Sequence, residues 1–153
     1  MAETTDWKQL RNVYLSERIQ DQINWYSKKS TANKTGYKAC RMTIIVCGAL
    51  IPLLVGYAEG NLVWLKYVAG FFGVLVAVSE GIMSLKKYRE NWDTYRITVE
   101  ALNRERLLYE NRVGTDYSAG DEAAFKQFVQ RAEQIMANEN QEWKTRLEMQ
   151  DKG

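Results

Sequence analysis

Glu80 is the residue through which this chain could do chemistry. It stands in VLVAVSEGIMSLKK, Val74 to Lys87, a stretch otherwise free of charge until its closing pair of lysines. A carboxylate so placed has three readings: the rim of a cation-selective pore, one half of a salt bridge at a membrane surface, or the polar edge of a soluble helix. Other candidates for chemistry fall away. The chain has no histidine, which removes His-based triads, the usual zinc sites and the Glu-x-x-His pairs of di-iron bundles. Cys40 and Cys47 are the only thiols. Seven residues apart on a helix they lie about 10 Å apart along the axis, beyond disulfide reach, and no metal-ligand partners accompany them. They read as small buried residues. Glu100, Glu105 and Glu133 could be imagined as acid/base groups, but exposed or salt-bridged helix carboxylates are far commoner. No catalytic, cofactor or metal site is expected, and no enzyme.

The elements that would position Glu80 are helices. A mean hydropathy of −0.43 and 26% charged residues look ordinary for a soluble protein. The average hides a segregation: Met42 to Leu85 is overwhelmingly apolar, and both flanks are rich in Lys, Arg, Glu, Asp, Gln and Asn. No alternating strand pattern appears along the chain. Leu15, Ile19, Ile23 and Tyr26 make one helix face in the first flank. Trp92, Tyr95, Val99, Leu102 and Tyr109 make a similar stripe after the apolar zone, and the absence of Pro and Gly from Ile82 to Val113 predicts one helix running on past Trp92. NRVGTDYSAG then reads as a turn, after which Asp121 can cap a third helix carrying Phe125, Phe128, Ala132, Ile135 and, beyond Glu139, Trp143. Helix packing accounts for these aromatic stripes. With a net charge of +2 and no basic-aromatic stripe, nucleic acid is not expected as a partner.

The apolar zone splits in two. Met42 to Ala58 is uncharged over 17 residues, near the lower limit for crossing a bilayer, and Leu62 to Leu85 is longer. Only Glu59, Gly60 and Asn61 separate them, so the two helices must run antiparallel. A soluble pair of this length would need apolar partners on every side, which single-striped flanks do not supply. The expected fold is therefore all-α: a two-helix transmembrane hairpin whose long helices extend into a cytoplasmic helical bundle. The divisions are an N-terminal cytoplasmic helix over 1–41, the hairpin over 42–85 with spans 42–58 and 62–85, and C-terminal cytoplasmic helices over 86–153, about 86–112 and 121–149.

Orientation follows from the basic residues. Lys28, Lys29, Lys34, Lys38 and Arg41 precede the first span, and Lys86, Lys87, Arg89 and Arg96 follow the second. The turn has none, and Lys66 can snorkel towards it. The positive-inside bias puts both termini in the cytoplasm, in a multi-pass protein of the cell's inner membrane. The first apolar run lies too far along the chain, behind a charged helix, for a cleaved signal peptide. With the turn centred near Gly60, Glu80 lies level with Arg41 at the inner edge of the hydrocarbon. An Arg41–Glu80 bridge and a Glu80 pore rim are both open at this point, and the two are compatible.

Ala69, Gly73, Ala77 and Gly81 recur every four residues, and Gly48, Pro52 and Gly56 make a comparable stripe on the first span, where Pro52 can kink the helix. The stripes serve either the inside of one hairpin or contacts between subunits. Two spans cannot enclose a water-filled path, so conduction requires an oligomer.

Several residue groups together resemble a known family. They are Asp21, Trp25-Tyr26, Lys28-Lys29, Ile51-Pro52 and Glu80 to Ile82, then Trp92, Tyr95-Arg96, Glu100 to Leu102, Glu105 and Tyr109, and finally Phe125, Phe128, Arg131, Glu133, Glu139 and Trp143. The chain resembles the SLATT-domain two-transmembrane family, the bacterial domain of unknown function 4231, from about Tyr14 to Trp143. The resemblance implies a membrane effector of prokaryotic conflict systems that forms pores when a separately encoded nucleotide-sensing protein is activated. The expected function is thus a homo-oligomeric ion channel or pore-forming effector, with the lipid bilayer and its own copies as partners. The alternative is a non-conducting scaffold that presents the bundle to another protein.

Overall fold

A computed structural model describes residues 3–59 and 62–150. The fold is all-α, with no strand among the described residues. Five α-helices follow in chain order: α1 (Glu3–Val13), α2 (Gln20–Gly56), α3 (Leu65–Lys86), α4 (Tyr88–Glu110) and α5 (Glu122–Gln150), with a π-helical turn, Tyr14–Ile19, joining α1 to α2. The tight turn expected at Gly60 and Asn61 lies outside the described residues. The chain divides into two compact units, Met1–Ser30 with Asp93–Gly153, and Thr31–Trp92.

The first unit is a three-helix bundle built from the stripes read above. Ile19, Ile23, Tyr26, Leu102, Tyr109, Phe128, Ala132 and Met136 are buried in one core, with Tyr14, Leu15, Tyr95, Val99, Phe125 and Ile135 packed against it. Tyr109 stacks on Phe128 at 4.7 Å between centroids, and Tyr14 meets the edges of Phe125 and Phe128. The pairings Gln20–Arg106 and Tyr26–Tyr95 run α2 antiparallel to α4, while Tyr14 and Tyr26 reach Glu133 and Glu139 in ascending order, so α5 runs parallel to α2.

Three features depart from the sequence reading. The first is the π turn. Its wider ring, i to i+5, brings residues five apart onto one face, so Tyr14 and Ile19 both address the core where an unbroken α-helix would separate them. The second is Tyr117. It sits in the segment between α4 and α5, read as a plain turn, yet it is fully buried against Tyr109 and donates to Glu105. The third is the end of the α5 stripe. Among the described residues its last buried position is Glu139, which accepts from Tyr26 at 3.3 Å, and Trp143 is exposed rather than packed. Asp121 does cap α5, its Oδ1 accepting from the amide of Ala124 at 2.9 Å.

Polar groups at the bundle surface are tied across helices. Arg18 and Tyr14 both donate to Glu133, at 3.2 and 3.0 Å. The hydrogen bond from Arg18 holds the Glu133 carboxyl below its usual range. Arg131 bridges Glu105 and Asp116. Burial, then Glu139, pushes the Tyr26 hydroxyl up to about 12, and burial likewise raises Tyr14 and Tyr117.

The second unit holds the end of α2, all of α3 and the start of α4. α2 runs unbroken to Gly56 with Pro52 inside it; proline has no amide to offer the Gly48 carbonyl four residues back. The expected single helix beyond the second span is interrupted: Lys87 adopts the left-handed conformation, φ 43°, ψ 45°, between α3 and α4. A lysine there costs about 1–2 kcal/mol of backbone strain, and neither Gly nor Pro advertises it. Neighbours hold the break in place. Asn91 donates its side-chain amide to the Lys86 carbonyl at 3.0 Å, and Lys34 lies over the Trp92 ring. The Tyr88 ring occupies the space a β-carbon at Gly36 would need, coming within 2.9 Å of it.

Two outcomes test this account. Phe128→Ala should lower the melting midpoint of the full chain in detergent, followed by circular dichroism, because it removes a fully buried ring at a cost of about 3–5 kcal/mol. Glu133→Gln should be destabilising at pH 7 by less than about 1 kcal/mol, as befits a half-exposed pair. Because Glu133 titrates lower when folded, its contribution is present above the unfolded carboxylate range and lost on acidification. Melting midpoints of wild type and variant should therefore converge as the pH falls from 5 to 3.

Candidate functional site: the apolar hairpin

The residues that could carry function lie on the two apolar helices. α3 has 22 residues and a length of about 33 Å at 1.5 Å per residue, enough to cross a hydrocarbon layer of about 30 Å. The uncharged part of α2, from Met42 to its end at Gly56, is shorter, and Lys38 and Arg41 stand where long side chains can reach an interface. Both are long and apolar enough to span a membrane, and only 6% of the most apolar 18-residue window of either is buried. That figure separates them from the core helix of a soluble bundle. Met42, Ile45, Val46, Leu53 and Val55 on α2, with Phe71, Val74, Val78 and Leu85 on α3, all point outward. An apolar surface of this extent is far beyond what water tolerates on a monomer.

The hairpin geometry fixes levels. α2 ends at Gly56 and α3 begins at Leu65, and Gly36 meets Tyr88 at the other end. Arg41 is fifteen residues back from the end of α2, and Glu80 fifteen residues into α3. The two are therefore level. They are not joined: both side chains are exposed, and the ion pairs among the described residues do not include an Arg41–Glu80 bridge.

The small-residue stripes are mostly open. A β-carbon built on Gly48, Gly56, Gly73 or Gly81 meets nothing within 4 Å. Gly48, Pro52, Gly56, Ala77 and Gly81 are exposed, Gly73 is partly covered, and Ala69 is buried. Within the described residues of one chain, then, only the Ala69 end of the α3 stripe is closely packed. Cys40 and Cys47 are both free thiols, Cys47 buried and Cys40 half-buried.

One set of residues escaped the sequence reading. Tyr57, Trp64 and Tyr67 flank the turn and are strongly exposed, Tyr67 at 80%. At the opposite end stand Tyr88 and Trp92, each beside a lysine. Aromatic rings at both ends of an apolar hairpin are what a bilayer's two interfaces select. Their clustering just outside each apolar run was the available signal.

No curated protein and no solved structure matches the chain. Residues 21–123 match the family described as "Protein of unknown function (DUF4231)", a stretch that takes in the apolar hairpin and the helices on either side of it. With two thirds of its length inside that match, the chain belongs to this family.

Proposed function

We propose that the protein is a homo-oligomeric integral membrane protein whose assembled hairpins form an ion channel or pore, the effector of a prokaryotic conflict system. It works without enzymatic chemistry. The observation that carries this reading is the unburied apolar hairpin with its open glycine stripes. Small residues let helix backbones approach closely in lipid, where packing rather than hydrophobic burial drives association. Four positions on which a β-carbon meets nothing are vacancies of the right kind for helices of neighbouring copies. Glu80, exposed and unbridged in one chain, is then free to line a conducting path near its inner mouth, where a ring of carboxylates favours cations. The exposed Lys38, Arg41, Lys86 and Arg89 at one end of the hairpin, with Lys28, Lys29 and Arg96 beyond them in the sequence, support a cytoplasmic location for both termini. A separately encoded nucleotide-sensing protein, the partner suggested by the SLATT resemblance, would act on the bundle built by the start of α2 with α4 and α5.

Proteoliposomes carrying the purified chain should pass cations. Glu80→Gln should leave the melting midpoint nearly unchanged while reducing cation-over-anion selectivity in reversal-potential measurements. Protein that is inserted and oligomeric yet passes no ions at any lipid composition, with or without the partner, would favour the scaffold reading instead. Topology has its own readout. In a background lacking Cys40 and Cys47, Glu59→Cys should react with an impermeant thiol reagent on intact cells, and Trp7→Cys and Trp143→Cys should not. Labelling of the termini alone would reverse the orientation.

A further inference from the structure

We propose that copies of this chain assemble head to tail through their bundles, the outer face of α1 and the π turn on one copy docking against the outer face of α4 on the next. The proposal rests on the homo-oligomer reading above and says which surface of the bundle builds it.

Two stripes of the bundle remain without a partner. On the first helical run Asp6, Leu10, Val13 and Glu17 follow one another at spacings of four, three and four, and all are exposed, Leu10 at 57% and Val13 at 51%. On α4 and just past it, Ile97, Arg104, Leu107, Asn111 and Val113 are exposed, and Arg104, Leu107, Asn111 and Val113 line a shallow, largely apolar groove of about 450 Å³. The first stripe is apolar in its middle and acidic at its ends, and the second carries Arg104 between the apolar Ile97 and Leu107.

The charges complement. Glu17 and Arg104 are both exposed, and neither enters any ion pair or hydrogen bond found among the described residues. Two other arginines of α4 are engaged at home, Arg96 with Glu100 and Arg106 with Glu110 and Gln20, and Arg89 lies at the opposite end of the helix.

The levels match as well. Within one bundle Gln20 stands beside Arg106 and Tyr26 beside Tyr95, and the pocket shared by Arg11, Leu15 and Tyr109 marks the far end. The same antiparallel count puts Leu10 level with residues 111–116, Val13 with 108–113, one residue past Leu107, and Glu17 with 104–109, a stretch that begins at Arg104. In a cyclic assembly whose axis runs along the bundle, residues level in one copy remain level with their counterparts in the next. Apolar thus meets apolar, and carboxylate meets guanidinium. Asp21 falls level with the Arg96–Glu100 pair, whose arginine can turn to it. The contact is heterologous, using two different surfaces, and such contacts close into rings when the rotation permits. A ring is the symmetry a central pore requires. The opposite arrangement, α1 against α1, would place Asp6 and Glu17 near their own copies and is disfavoured by charge.

The test is crosslinking of the full chain in native membranes. In a background carrying Cys40→Ala and Cys47→Ala, the pair Val13→Cys with Leu107→Cys should give a ladder beyond the dimer on oxidation with copper phenanthroline. Either cysteine alone should give none. Dimers from Val13→Cys alone would show a two-fold contact and overturn the proposal. No crosslink from the pair, while wild type remains oligomeric by light scattering in detergent, would overturn this interface and leave the oligomer standing. A monomeric wild type would remove both. Independently, Glu17→Arg and Arg104→Glu should each at least halve the oligomeric fraction, and the double charge swap should restore most of it. Losses that merely add in the double variant would also overturn the pairing.

Discussion

Everything in this chain is arranged around an apolar surface that the chain does not cover. Forty-odd residues from Met42 to Leu85 form two helices whose side chains turn outward with almost nothing of their own to rest on. Helical hydrogen bonding satisfies their backbones internally, which is the condition hydrocarbon imposes. The side chains then need a solvent as apolar as themselves. Glu80 apart, charges are therefore kept to the ends, the basic residues collecting at one and aromatic rings at both, and the polar helices before and after the hairpin are left to build a separate core.

That second core obeys the opposite rule. It mixes aromatic rings with aliphatic chains, and Tyr14, Tyr26, Tyr109 and Tyr117 each place a ring inside and a hydroxyl at a polar neighbour or at the boundary. Tyrosine can be buried this way because its oxygen finds a carboxylate partner. Glu133, Glu139 and Glu105 supply that partner, and they do so from α5 and α4, so each hydroxyl stitches one element to another. The stripe on α5 that ends in a glutamate is not a defect in an apolar pattern but the acceptor for Tyr26.

The period of apolar residues makes most of the fold legible in the sequence. Ile19, Ile23, Tyr26, Leu102, Tyr109 and Phe128 fall where their spacing puts them, and an antiparallel pair is expected too, although α2 stops at Gly56 and α3 starts at Leu65, a wider gap than the three residues read as turn. What escaped was conformational rather than compositional. The π turn at Tyr14–Ile19 inserts a residue into a helix with no change of residue type to mark it. Lys87 takes a left-handed backbone without glycine or asparagine, because Asn91 and the packing of Tyr88 and Trp92 decide its conformation from outside. Tyr117 is buried from within a segment that reads as solvent-facing, and only the space beside Tyr109 explains it. The equal depth of Arg41 and Glu80 was legible; whether level residues face each other depends on helix rotation, which spacing alone does not fix.

The packing of Tyr88 on Gly36 has a mechanical meaning. α3 and α4 follow each other in sequence but are separated by the left-handed residue between them, where the helical run of hydrogen bonds is broken. One residue later the chain is seated on α2, ring against bare backbone, with Lys34 and Trp92 fastening the next turn. A force drawn along the first turn of α4 is thus handed sideways to α2 before it is felt along α3. The helix that carries Glu80 is loaded through its neighbour rather than through its own continuation, and a pull on one strand of the hairpin becomes a shear between the two.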